Sequence, residues 1–143
     1  MAGARRQARA YALQILYARD VDAAVDVPGA VARWDADFEL ELEPAAREFA
    51  QQLLAASVER AAAVDERIAG ASKNWRLERM SRVDRNILRL GTVELVAFPD
   101  VPVKVVINEA VELAKRFGTA ESPAFVNGIL DRIAGVLGRS PES

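Results

Sequence analysis

The chain has 143 residues, a formal charge of −2, and neither histidine nor cysteine, which excludes Ser-His-Asp and Cys-His catalysis, zinc fingers, CxxC redox pairs and iron–sulfur clusters. Its length suits one domain with a core large enough to need no disulfide or metal. Alanine occurs 27 times and aromatics make up only 6%, a composition that favours closely packed helices over a sandwich or barrel.

Residues 5–21 predict the first helix, since they contain good helix formers and no Gly or Pro. Ala8, Tyr11, Ala12 and Ile15 share one arc of roughly 100°, which should face the core. Arg5, Arg6, Arg9, Leu13, Leu16 and Tyr17 fall in a neighbouring arc of roughly 120°. This second face, half basic and half apolar, either covers another helix or meets a partner. Residues 28–40 read as a short helix bearing Trp34 and Phe38. Pro44 opens a longer helix, because proline is tolerated at the first helical position. Phe49, Leu53, Leu54, Val58, Ala61, Val64 and Ile68 keep helical spacing up to Gly70.

After Gly70 a turn leads to Trp75, expected to anchor a hinge between two halves. A second turn around Leu77 and Met80 precedes a helix from about Ser81 to Phe98. Its stripe is Val83, Ile87, Leu90, Gly91, Glu94 and Phe98, with Gly91 placed for a close helix–helix approach. Pro99 to Pro102 break the chain, and 103–117 form the next helix despite the strand-like Val103, Val105, Val106 and Ile107. Gly118 ends it, Ser122 reads as an N-cap before Pro123, and Phe125, Val126, Ile129, Leu130, Ile133 and Leu137 line the last helix. The expectation is an all-α chain of about six or seven helices, packed as subdomains of about 4–70 and 75–138.

The modest net charge hides a strong asymmetry. Residues 1–19 sum to +4, residues 20–48 to −7, and residues 73–89 to +4. Two basic blocks on an acidic body are either a solvated helix face or a local footprint for nucleic acid. Candidate catalytic constellations are poor. Glu109 and Glu112 lie three apart on one helix, but Arg116 stands four beyond Glu112 and no histidine completes a di-metal ligand set. No GxxxxGK phosphate loop exists, and no apolar run approaches the ~18 residues of a membrane span. A soluble, cytoplasmic protein is expected, with no catalytic residue, metal or cofactor and no membrane partner.

Two further residues stand out. Asp84 is an acid between Arg82 and Arg85, either relieving repulsion there or accepting a donor from a partner. Phe125 follows a helix start, where a ring is either core or a platform for a nucleobase beside arginines that track phosphates.

Three blocks carry a resemblance: ARRQARAYALQILYARDVD (4–22), NWRLERMSRVDRNILRLGTVEL (74–95) and VPVKVVINEAVELAKRFGTAESPAFVNGILDRIAGVL (101–137). Together they resemble the NusB family of bacterial transcription antitermination factors. The acidic stretch 23–43 has no counterpart and suits a variable surface helix. The resemblance implies an all-helical, non-catalytic protein that binds boxA RNA of ribosomal operons. It would do so with NusE, a small-subunit ribosomal protein, and load onto RNA polymerase with other Nus factors. Carried over by position, Arg5, Arg6 and Arg9 meet RNA, as do Glu121 and Phe125. Leu13, Tyr17 and Asp84 meet NusE. The chain departs from the family at Asp84, where the family acid is Glu, and at Ser122–Pro123 on the RNA side. Two rival functions remain. A NusB-like module also precedes rRNA cytosine methyltransferases, although 143 residues leave no room for a dinucleotide-type domain. The NusE face could instead pair two copies into a homodimer.

Overall fold

Among the described residues, runs with helical apolar spacing, separated by proline, glycine or polar turns, fold as α-helices. The computed structural model describes residues 2–22, 28–29, 42–73 and 75–139. Among them the helices are α1 (Ala2–Val21), α2 (Pro44–Glu59), α3 (Ala61–Ala71), α4 (Arg82–Ala97), α5 (Val103–Phe117) and α6 (Ser122–Val136), with a single 3-10 turn at Leu77–Arg79. No strand occurs among the described residues. The expected helix at 28–40, with Trp34 and Phe38, falls largely outside them. Two compact units are present, residues 1–55 and 56–143.

In the first unit α1 buries far more than one stripe. Ala8, Ala12 and Ile15 are fully buried, as expected, and Arg9, Leu13 and Leu16 from the neighbouring arc are buried as well. Phe49 of α2 lies against α1, with the guanidinium groups of Arg5 and Arg9 4.6 Å and 5.4 Å from its ring centroid.

In the second unit α3, α4, α5 and α6 pack on one another. Of the α4 stripe, Ile87, Leu90, Gly91 and Glu94 are buried, while Val83 and Phe98 at its two ends are half-buried. Gly91 sits where α4 meets α6, and a Cβ there would come within 2.8 Å of Leu130 Cδ1. The close approach read from the sequence is therefore real. Arg89 of α4 grips Asp65 of α3 through both carboxylate oxygens, at 2.9 Å and 3.1 Å. Arg139, beyond α6, donates to three carbonyls: Leu95 at the end of α4, and Pro99 and Val101 in the following turn. The Leu95 oxygen is one that a helix end leaves without an intrahelical donor.

Three local expectations need correction. The helix opened by Pro44 does not run to Gly70 but breaks at Arg60, whose φ of −108° and ψ of 14° leave the helical region. Backbone bonds from Arg60 N to Ala56 O and from Val64 N to Arg60 O carry the ladder across the break, so neither Gly nor Pro is needed. Ser122 is not the cap of α6 but its first residue, and its hydroxyl accepts the Thr119 N–H at 3.0 Å. Gly118 ends α5 for the same reason: its φ of −98° needs no glycine, but a Cβ would lie 2.5 Å from Ser122 Oγ. Trp75 does not anchor a hinge by burial, since it is 55% exposed.

Candidate functional site

On α1 the sequence-selected residues separate by exposure. Arg5 and Arg6 are exposed, and Tyr17 is 40% exposed. Arg9 and Leu13 are each only 3% exposed. Arg9 is covered because its guanidinium lies over Phe49, a partner on another helix that no helical wheel of α1 can reveal. Leu13 is a core side chain, spent on packing within the chain, so it presents no surface for a partner. Arg6 and Tyr17 project on nearly the same bearing, about 20° apart, and eleven residues of helix separate them by about 16 Å. A cationic end and an exposed phenol thus share one edge of α1.

Asp84 stands in the first turn of α4, where Ser81 caps the helix by accepting the Asp84 N–H at 3.1 Å. Its carboxylate forms no ion pair with Arg82 or Arg85. Arg85 instead donates to the Leu77 carbonyl at 3.1 Å. Asp84 Oδ1 is shielded from solvent and accepts no hydrogen bond among the described residues. A shielded carboxylate oxygen without a donor carries a desolvation penalty. Relief of repulsion between Arg82 and Arg85 by Asp84 would thus act through space and not through a contact pair.

Glu121 and Phe125 lie at the start of α6. Glu121 is exposed and accepts the Thr119 hydroxyl at 3.2 Å. Phe125 is partly exposed and meets Trp75 edge to face, with ring centroids 6.3 Å apart and planes at 82°. Phe125 is thus neither closed core nor an isolated ring. Among the described residues no cluster of three His, Cys, Asp or Glu side chains could hold a metal ion. Glu112 pairs with Lys115 at 3.4 Å, in place of the expected Arg116. No helix among the described residues is long and apolar enough to cross a membrane.

The NusB family model matches residues 6–135. This chain belongs to the NusB family. The transcription antitermination protein NusB of Sorangium cellulosum is 52% identical over 138 residues, which is 96% of each chain. Its counterpart in Myxococcus xanthus is 48% identical, over 96% of this chain and 99% of that protein. Among solved structures, NusB of T. maritima is 36% identical with a TM-score of 0.84, covering 96% of this chain and 94% of that one. A crystal structure of antitermination factors NusB and NusE in complex with dsRNA contains a chain 26% identical, again at a TM-score of 0.84, covering 95% and 99%.

Within this chain of the NusB family, sequence reasoning misses two residues beside the selected ones. Phe49 was read only as part of a core stripe, although it holds two arginines of the basic start. Trp75 is a hinge anchor in the sequence reading, whereas it borders Phe125 and stays exposed. The block NWRLER, with a ring among three basic residues over 73–79, was the available signal.

Proposed function

We propose that this chain is a transcription antitermination factor that binds boxA-type RNA of ribosomal operons together with NusE. The complex would then load onto RNA polymerase with other Nus factors. It acts in the cytoplasm as a non-catalytic RNA- and protein-binding domain. The observation that carries this reading is the likeness, over 95% of the chain, to a NusB solved with NusE and double-stranded RNA.

In this reading Arg5 and Arg6 contact phosphates directly, while Arg9, held over Phe49, adds its charge from beneath. Glu121 and Phe125 form the RNA-side segment at the start of α6. Tyr17 supplies contact area to NusE, and the half-buried Asp84 carboxylate accepts a donor from that basic ribosomal protein. Leu13 supports the Tyr17 edge from the core. The test is a titration of fluorescent boxA RNA with the chain, with and without NusE, over a salt series. The double variant Arg5→Glu, Arg6→Glu should lose RNA binding and flatten the salt dependence, because each phosphate contact contributes about 0.7–1 to the slope of log K on log salt. An unchanged slope in that variant would refute the reading.

A further inference from the structure

Tyr17 and Trp75 are the two exposed aromatic side chains among the described residues, and the function proposed above uses only Tyr17. We propose that Trp75 is a base-stacking residue that receives one unpaired nucleotide of the bound RNA, in the groove it lines with Ser72, Lys73 and Arg76. The proposal rests on the RNA-binding reading and adds a contact to it.

Four observations support it. The first is that the backbone of Trp75 is fixed while its ring stays exposed. The Trp75 N–H donates to the Ser72 carbonyl at 3.1 Å, and its own carbonyl accepts from the buried Ser72 hydroxyl at 3.1 Å. The second is the contact with Phe125, which fixes the plane of the indole edge-on to a residue of the RNA-side segment. The site is thus continuous with that segment. The third is chemical. The indole N–H has no acceptor among the described residues, so it can donate to a base carbonyl or a phosphate.

The fourth is the surroundings. The groove holds about 740 Å³, ample for a nucleotide. Lys73 and Arg76 on its rim are exposed and form no ion pair among the described residues, which leaves both available to a phosphodiester. Of the carboxylates present, Asp65 is already engaged by Arg89, while Glu66 and Glu78 offer acceptors suited to exocyclic amino groups. A flat ring flanked by free cations is what sequence-tolerant single-strand recognition uses.

The chain contains two tryptophans, so Trp34→Phe leaves Trp75 as the only indole. The experiment follows the emission of that variant as single-stranded boxA RNA is added with NusE present, beside filter binding of the same samples. Trp75 emission should be quenched along the filter-binding isotherm. Trp75→Ala should weaken RNA binding about tenfold with the salt slope unchanged, since stacking displaces no counterion. Trp75→Phe should recover most of the affinity, and all variants should melt with the wild type. Emission that stays constant while filter binding saturates would overturn the proposal, as would an unaltered affinity of Trp75→Ala. Quenching by NusE alone, with none added by RNA, would assign the ring to a protein contact and also overturn it. If the wild type itself retains no RNA on the filter, the RNA-binding reading and this inference fall together.

Discussion

Arg5 and Phe49 face each other across α1 and α2, the guanidinium 4.6 Å from the ring centroid, and Arg9 reaches the same ring at 5.4 Å. One phenyl group thus holds two members of the basic start, one exposed and one almost wholly buried. A cation over a ring is worth about 0.5–1 kcal/mol at exposed sites and about 2 or more when desolvated. Arg9→Gln should therefore cost about 2 kcal/mol of unfolding free energy, and Arg5→Gln less than about 1. Urea unfolding of both variants checks this. Equal losses would show that the ring does not distinguish the two.

Gly91 and Gly135 make opposite predictions for the same substitution. Both lie in helices, where Ala is favoured over Gly by about 1 kcal/mol. At Gly135 an added Cβ meets nothing within 4 Å, so Gly135→Ala should raise the melting temperature. At Gly91 the Cβ would come within 2.8 Å of Leu130, which is itself fully buried. Overpacking of that kind costs about 1–3 kcal/mol, enough to reverse the propensity gain. Gly91→Ala should melt lower than wild type, and calorimetry of the pair decides.

Arg139 lies after α6 yet closes the end of α4 and the turn before α5, through bonds to Leu95, Val101 and Pro99 at 2.9, 2.8 and 3.3 Å. Arg139→Ala leaves the carbonyls at Leu95 and Val101 without this donor. A loss of about 1–3 kcal/mol is expected, with Arg139→Lys intermediate because one ammonium cannot reproduce the fork. Hydrogen exchange should rise first at the amides around Phe98 and Val101. An Arg139→Ala protein as stable as wild type would show the fork to be a surface ornament.

These residues also show which features a sequence displays. The α4 stripe was legible because Ile87, Leu90, Gly91 and Glu94 repeat at helical spacing, and the tight spot at Gly91 follows from a glycine where alanine would be the better helix former. The break at Arg60 was not legible, since no Gly, Pro or capping residue marks it and backbone bonds bridge it. Burial of Arg9 was hidden for a different reason. A wheel shows which residues share a face but not that Phe49, forty positions later, lies against it. The Ser122 hydroxyl was assigned to the wrong N–H because cap and first-turn residues share one chemistry, and only the Thr119 bond separates them.

The last prediction concerns Tyr17 and Asp84, whose proposed roles toward NusE can be separated from their roles in folding. Tyr17 is 40% exposed on α1, so Tyr17→Ala removes a ring that contributes little to the core. Its melting temperature should stay within a degree or two of wild type. Asp84 poses a sharper case. Its Oδ1 is shielded and unpartnered among the described residues, so the free chain carries a desolvation cost that Asp84→Ala removes. Against that stands the loss of a negative charge in the first turn of α4, worth about 0.3–1 kcal/mol. The two effects oppose each other, and the variant should be about as stable as wild type. NusE affinity should nevertheless fall for both, and by more for Asp84→Arg, which sets like charge against a basic partner and should cost about 2–5 kcal/mol if the pair is buried. All three variants should keep the salt-sensitive RNA binding of the free chain, since Arg5 and Arg6 are untouched. If Asp84 served only to balance Arg82 and Arg85, Asp84→Ala would melt lower and bind NusE in proportion to the folded fraction. Melting curves and NusE titrations on the same preparations distinguish the two accounts.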